Sequence, residues 1–390
     1  MSRTISNNIS VEPDDLSPTS PHIGILVGNR YQVLRSLDKR QGVERLLAVD
    51  KTRDELVIVK ALPDQSVSGG TAMRLEYAVA ALREVKGTYL APLLDVKQEA
   101  NWLYLIYPFI PGITLWARLD QGRIGLIDAL TIGKCLFSAL KEVHHLRMLH
   151  GDIRPRNVIV EEKEPLTRAV LINFDLAYSM LREISVDSQS LEEALYWSPE
   201  QAGSLDYDVG APSELYSAGV LLFECLVGSP PYQGGTVGEI LLQHMTAHAP
   251  ELRSLRADVP RALDELVQRL LRKDPRDRYQ SAEAVLVDLQ GISDALNRGE
   301  REPSLVVGSR DRRPTLTEPA FVGRFPELEQ LEAQIRLACE GRGSLVIVES
   351  ESGGGKTRLL EEVALRGAQK GMRVFHGQGS EQVGLRPFQV

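Results

Sequence analysis

The chain has 390 residues, 43% of them apolar and 25% charged, with a formal net charge of −8. Such a length exceeds one ordinary core and predicts two domains plus linkers. The apolar content excludes wholesale disorder, and the acidic balance argues against a general nucleic-acid or anionic-membrane binder, which needs a clustered positive field.

Three cysteines, Cys135, Cys225 and Cys339, lie far apart in mostly apolar surroundings. That pattern argues against a disulfide framework or a zinc site and fits buried thiols in a reducing cytoplasm. The longest apolar run, residues 215–228, contains Glu224 and is too short for a membrane-spanning helix. The N-terminus lacks a signal-peptide pattern. The expectation is a cytoplasmic protein with no nucleic-acid or membrane partner.

Residues 1–22 are rich in Ser, Asn, Asp and Pro and read as a disordered tail. From Tyr31, YQVLRSL, LLAVD and LVIVKAL give short apolar or alternating segments separated by polar turns, the sign of a small antiparallel sheet. A helix is expected over 71–85, then strands near LAPLLDV and WLYLIYPF. Beyond residue 126, Leu130, Ile132, Cys135, Leu136, Leu140, Val143 and Leu146 fall on one helical face, and the chain stays mostly helical to residue 292. Charge, Gly and Pro then mark a linker over 293–319. A last unit, 320–390, contains an apolar strand SLVIVES (344–350), a glycine-rich turn SGGGKT (352–357) and an amphipathic helix.

Phosphoryl transfer needs a lysine on the phosphates, a metal held by acceptors and a carboxylate beside the attacking hydroxyl. Lys60 ends the apolar strand LVIVK; Asp152 and Asn157 share the loop HGDIRPRN (150–157); Asn173 follows the strand VLIN. Singly, each is a common edge or turn residue. In this order, with YWSPEQA (196–202), SELYSAGVLLFECLVGSPPY (213–232) and LLRKDPRDRYQSAEAVLVDL (270–289), the chain resembles the eukaryotic-type serine/threonine protein kinases of bacteria.

The resemblance implies an α+β two-lobed kinase fold over residues 23–292, with ATP and magnesium as cofactors and a protein substrate. It makes Asp152 the base or orienting group for the substrate hydroxyl. Arg154 would supply charge to the phosphoryl group, standing where the family has lysine. Lys60 would bind the α and β phosphates and pair with a helix glutamate, Glu76 being the candidate. Asn157 and Asn173 would ligate magnesium, and Gly42 would serve the nucleotide loop. Glu200 and Arg278 are expected as a buried structural pair.

The chain also departs from the family pattern. LINFDLA (171–177) has Asn173 where the family has aspartate and Asp175 where it has glycine. An amide oxygen can ligate magnesium but brings no charge. The loop 37–49 keeps only Gly42, Ile58 replaces a small alanine over the adenine, and Gly151 replaces an arginine that grips a phosphorylated activation segment. Two readings follow: an ATP-dependent serine/threonine kinase, and a catalytically impaired pseudokinase that regulates a downstream ATPase.

SESGGGKT (350–357) resembles a Walker A loop with Ser350 at the first glycine position. Gly353, Gly354 and Gly355 would then offer backbone N–H groups to the phosphates, Lys356 would reach the β and γ phosphates, and Thr357 would bind magnesium. FVGRFPELEQL (321–331) resembles the opening of AAA-type ATPase modules that follow bacterial kinase domains. Residues 320–390 are too few for that sheet. They are expected to be the truncated N-terminal part of an α/β P-loop ATPase domain, with further ATPase or sensor domains C-terminal to it.

Overall fold

The structure is a computed structural model that describes residues 20–40, 42–63, 79, 82, 87–163, 165–174, 191–203, 209–311, 325–339, 341–348, 359 and 363. The chain divides into two units, residues 1–313 and 314–390.

In the first unit the period-two segments form a six-stranded antiparallel sheet. Its strands are β1 (Leu26–Val27), β2 (Tyr31–Arg40), β3 (Val43–Asp50), β4 (Glu55–Pro63), β5 (Asp95–Glu99) and β6 (Trp102–Pro108), in the order β1-β2-β3-β4-β6-β5. The strand expected near LAPLLDV begins later, at Asp95. Leu90 makes only an isolated bridge to Leu171, and Pro92 removes a donor from the ladder before the strand starts. Of the helix expected over 71–85, Val79 and Leu82 are described, and both are helical and buried.

One face of this sheet packs Val33, Leu46, Ala48, Val59, Tyr104 and Ile106 together. His22, at the end of the segment read as a tail, is buried against that sheet. It lies edge-on to Trp102 at 4.5 Å and its Nδ1 is 3.2 Å from the Tyr104 hydroxyl.

A second lobe is built on helices, with a small sheet of β7 (Ile113–Thr114), β8 (Val158–Val160) and β9 (Ala169–Leu171). Its helices are α1 (Leu115–Asp120), α2 (Leu126–His145), α3 (Leu191–Ala194), α4 (Ala211–Val227), α5 (Val237–Thr246), α6 (Leu252–Leu255), α7 (Arg261–Leu270) and α8 (Ala282–Asn297). The three- and four-residue spacing read in α2 buries Leu130, Ile132, Cys135, Leu136, Leu140 and Val143. Helix α4 is buried nearly all round and stops at Gly228, whose φ of 96° provides the left-handed cap. Gly219 lets α4 approach α7 closely, because a Cβ there would stand 2.7 Å from the Leu270 Cβ.

His244 on α5 is fully buried. Its Nε2–H donates to the Leu195 carbonyl at 3.1 Å, and its Nδ1 accepts from the Tyr216 hydroxyl at 2.8 Å. That arrangement satisfies the neutral ring. Burial, with Lys273 nearby, pushes the pKa down to about 3. The folded value lies below the unfolded one, so protonation favours the unfolded chain. Stability is expected to fall as pH drops from about 6.5 toward 3, by up to roughly 1.4 kcal/mol per pH unit from this group. Urea unfolding across that range should show a shallower slope in His244→Gln than in the parent.

Residues 302–311, read from composition as linker, lie against the helical lobe. Glu302 accepts from the Arg253 guanidinium at 2.9 Å and from the Arg261 backbone N–H at 2.9 Å. Leu305 and Val307 pack on the main core. The Gly308 N–H donates to Asp288 at 2.6 Å, and the fully buried Asp311 carboxylate accepts from Arg269 at 2.6 Å and from the Gln280 N–H at 3.1 Å.

In the second unit, α9 (Phe325–Cys339) packs Leu331 beside Leu359, Val348 and Val363. The strand expected over 344–350 is not formed at its described residues, 344–348, where Leu345 and Ile347 are 88% and 74% exposed. A strand needs a hydrogen-bonded neighbour, and among the described residues of this unit none pairs with it. The glycine-rich turn 352–357, with Gly353, Gly354, Gly355, Lys356 and Thr357, lies outside the described residues, as do Glu76 and Asp175.

Candidate active site

The loop HGDIRPRN follows α2 in the helical lobe and is fastened at both ends by buried polar groups. His150 is buried; its Nε2–H donates to the Ile172 carbonyl at 2.9 Å and its Nδ1 accepts from the Asp152 N–H at 3.3 Å. Its ring meets Phe174 edge-on at 5.7 Å. Gly151 adopts φ 82°, a left-handed conformation that side chains strain to reach. Its N–H donates to the buried Glu214 carboxylate at 2.6 Å, and His144 Nε2 lies 2.7 Å from the other oxygen of that carboxylate. The glycine read as a lost arginine is thus also a backbone requirement.

Asp152, Asn157 and Asn173 come together. The Asn157 amide donates to the Asp152 backbone carbonyl at 2.8 Å and to its carboxylate at 2.7 Å. The Asn173 amide donates to Asn157 Oδ1 at 2.7 Å. The Ile172 N–H donates to the Asn157 carbonyl at 2.8 Å, which ties the LINF turn to the loop. Asn173 has φ 64°. Asparagine tolerates this left-handed position better than most residues, so the substitution keeps the turn while it removes the charge.

Lys60 is 7% exposed, on β4 opposite Leu105, with Nζ 5.3 Å from the Tyr107 ring centroid. Ile58 pairs across strands with Leu47 and Tyr107 and is half-buried. Gly42, with φ 82°, sits in the turn between β2 and β3. The Asn157 amide faces Asp152 through its N–H groups and its Oδ1 accepts from Asn173, so the two amides would hold magnesium through Oδ1 in exchange for that hydrogen bond, as oxygen donors of the type hard cations take. The residues fit magnesium, although the amides supply no charge of their own. Magnesium, when bound, neutralises charge on the phosphates.

Three features of the site escaped sequence reasoning. Arg154 lies between two carboxylates, Asp152 at 3.0 Å and Glu193 at 3.3 Å. Arg156 pairs with Glu192 and stacks 4.0 Å over the Trp116 ring. Glu214 with His144 anchors Gly151. The adjacent acids just before YWSPEQA were the available signal for the first two; nothing local marked Glu214. The expected pair of Glu200 and Arg278 is present and fully buried, at 2.6 and 2.9 Å.

Among solved structures, the chain is similar to the Mycobacterium tuberculosis PknI kinase domain. The TM-score is 0.54 at 20% identity, over 70% of this chain and 99% of that one. It is also similar to Rad53 1–466 in complex with AMP-PNP, with TM-score 0.55 at 20% identity, over 66% of this chain and 64% of that one. By sequence it is 26% identical over 295 residues to the probable serine/threonine-protein kinase CPE1738 of Clostridium perfringens, covering 74% of this chain and 41% of the relative. It is likewise 26% identical over 283 residues to the serine/threonine-protein kinase PrkC of Bacillus subtilis, covering 72% and 43%. The chain spans less than half the length of these two relatives. The protein kinase domain family model matches residues 42–288, more than half of the chain and all of the site just described, and the chain belongs to that family.

Proposed function

We propose that the first unit is an ATP-dependent serine/threonine protein kinase of bacterial signalling, which transfers the γ-phosphoryl group to a protein hydroxyl with magnesium as cofactor. The carrying observation is the chain of hydrogen bonds from Asn173 through Asn157 to Asp152, at 2.7 Å each. It holds the Asp152 carboxylate beside two amides whose oxygens would ligate a cation. Lys60, Glu76 and Gly42 would serve the nucleotide, and Arg154 the transferred group.

The second reading is a pseudokinase that regulates a downstream ATPase. Asn173 favours it, since two neutral amides hold magnesium less tightly than an amide and a carboxylate. The second unit would be the front of an AAA-type P-loop ATPase module, with Gly353, Gly354, Gly355, Lys356 and Thr357 on its nucleotide. Further ATPase or sensor domains would follow it in a cytoplasmic protein. No helix among the described residues is long and apolar enough to cross a membrane.

The test is transfer from ATP to a generic protein acceptor and to the chain itself, titrated with magnesium. Asn173→Asp is expected to lower the magnesium needed for half-maximal transfer by about tenfold. A parent that transfers nothing at any magnesium concentration, while Asn173→Asp gains transfer, would leave the pseudokinase reading standing.

A further inference from the structure

Two consecutive acids on the short helix α3, Glu192 and Glu193, meet two arginines of the catalytic loop, Arg156 and Arg154. Glu193 is 7% exposed, and the Arg154 side chain is 16% exposed. The Arg154 Nε–H donates to the Asp152 carboxylate at 3.1 Å while Nη1 donates to Glu193 at 3.3 Å. One planar guanidinium therefore spans the acceptor carboxylate and a carboxylate from outside the loop. On the other side, the Arg156 guanidinium is held between Glu192 and the Trp116 ring. Exposed pairs contribute little, but charges as enclosed as Glu193 are costly to leave without a partner.

We propose that Glu193 is a positioning residue: through Arg154 it fixes Asp152, and with Glu192 it fastens the catalytic loop by permanent carboxylates, so no phosphate on the neighbouring segment is required. Gly151 fits this role, because it leaves out the arginine that would grip such a phosphate. Without Glu193, Arg154 retains only Asp152 of the two carboxylates and turns toward it, which takes the guanidinium away from the transferred group. The contribution to turnover rests on the kinase reading; the fastening of the loop does not.

The test uses the full chain, untreated and phosphatase-treated, as parent, Glu193→Gln, Glu193→Asp and Glu192→Gln. Amide hydrogen exchange over residues 151–157, measured without nucleotide, is expected to quicken about tenfold in Glu193→Gln. It should recover in Glu193→Asp and stay unchanged on phosphatase treatment of the parent. Turnover by Glu193→Gln should fall about tenfold at an unaltered KM for ATP, with Glu193→Asp recovering most of it.

Unchanged exchange in Glu193→Gln, or a parent loop loosened by phosphatase, overturns the proposal whether or not the parent transfers phosphate. A silent parent whose loop still loosens in Glu193→Gln overturns the kinase reading and upholds the clamp. A general loss of melting temperature in Glu193→Gln with no recovery in Glu193→Asp would make the residue merely structural and also overturns it.

Discussion

Arg278→Met is expected to lower the unfolding free energy by about 3–5 kcal/mol, because it strands a fully buried carboxylate. At roughly 2–4 °C per kcal/mol for a domain of this size, the melting temperature should drop by about 10 °C. Every donor of Arg278 is used. Nη1 and Nη2 reach Glu200 at 2.6 and 2.9 Å, and the remaining N–H groups go to the carbonyls of Arg272, Pro212 and Lys273. The guanidinium also stacks 4.7 Å over the Tyr216 ring.

Glu200 takes a further hydrogen bond from Ser213 at 2.6 Å. Burial pulls its carboxyl upward, but Arg278 and Ser213 outweigh burial and leave it below the usual carboxylate range. Its contribution is therefore present above the unfolded pKa and lost as pH falls through the folded one. A double variant, Glu200→Gln with Arg278→Met, should recover part of the loss, since no unpaired charge remains. Thermal unfolding of the three variants beside the parent measures this, and a double variant as unstable as the sum of the singles would contradict it.

Asp152→Ala should reduce phosphate transfer by about 10²–10⁴, the range for removing a positioned acid–base group. ATP-dependent stabilisation should persist, because Lys60, Asn157 and Asn173 are untouched. The two predictions separate scaffold from chemistry: Arg278→Met attacks melting temperature first, and Asp152→Ala attacks turnover first. If Asp152→Ala transfers phosphate at the parent rate, the assignment of Asp152 as the group that receives or orients the substrate hydroxyl is wrong.

The two-lobed architecture was legible because the three- and four-residue spacing in helix α2 marks the face it buries, and because β3, β4 and β6 are short apolar segments that are mostly buried. The polar core of the site was legible from HGDIRPRN and LINF as ordered motifs. The partners of those motifs were not: Glu193 reaches Arg154, and Glu214 reaches Gly151, across long sequence separations with no fixed spacing. Asn173 was legible as a lost charge but not as a residue at φ 64°, since backbone angle is set by the turn that tertiary packing imposes. The strand read in SLVIVES failed at its described residues, 344–348, for a related reason: apolar composition specifies burial, whereas a strand also requires a neighbour.

Composition placed the end of the kinase unit near residue 292, yet the buried carboxylate of Asp311 lies well past it. A polypeptide cut at residue 292 would lose the last residues of α8, uncover the seats of Leu305 and Val307, and leave Arg269 without Asp311. The same cut would remove the Gly308 N–H from Asp288, which already accepts from the Tyr279 hydroxyl at 2.5 Å. A cut anywhere between residue 292 and Asp311 therefore leaves Arg269 without that carboxylate, so the pairing of Asp311, and not composition, sets the minimum length of this kinase unit.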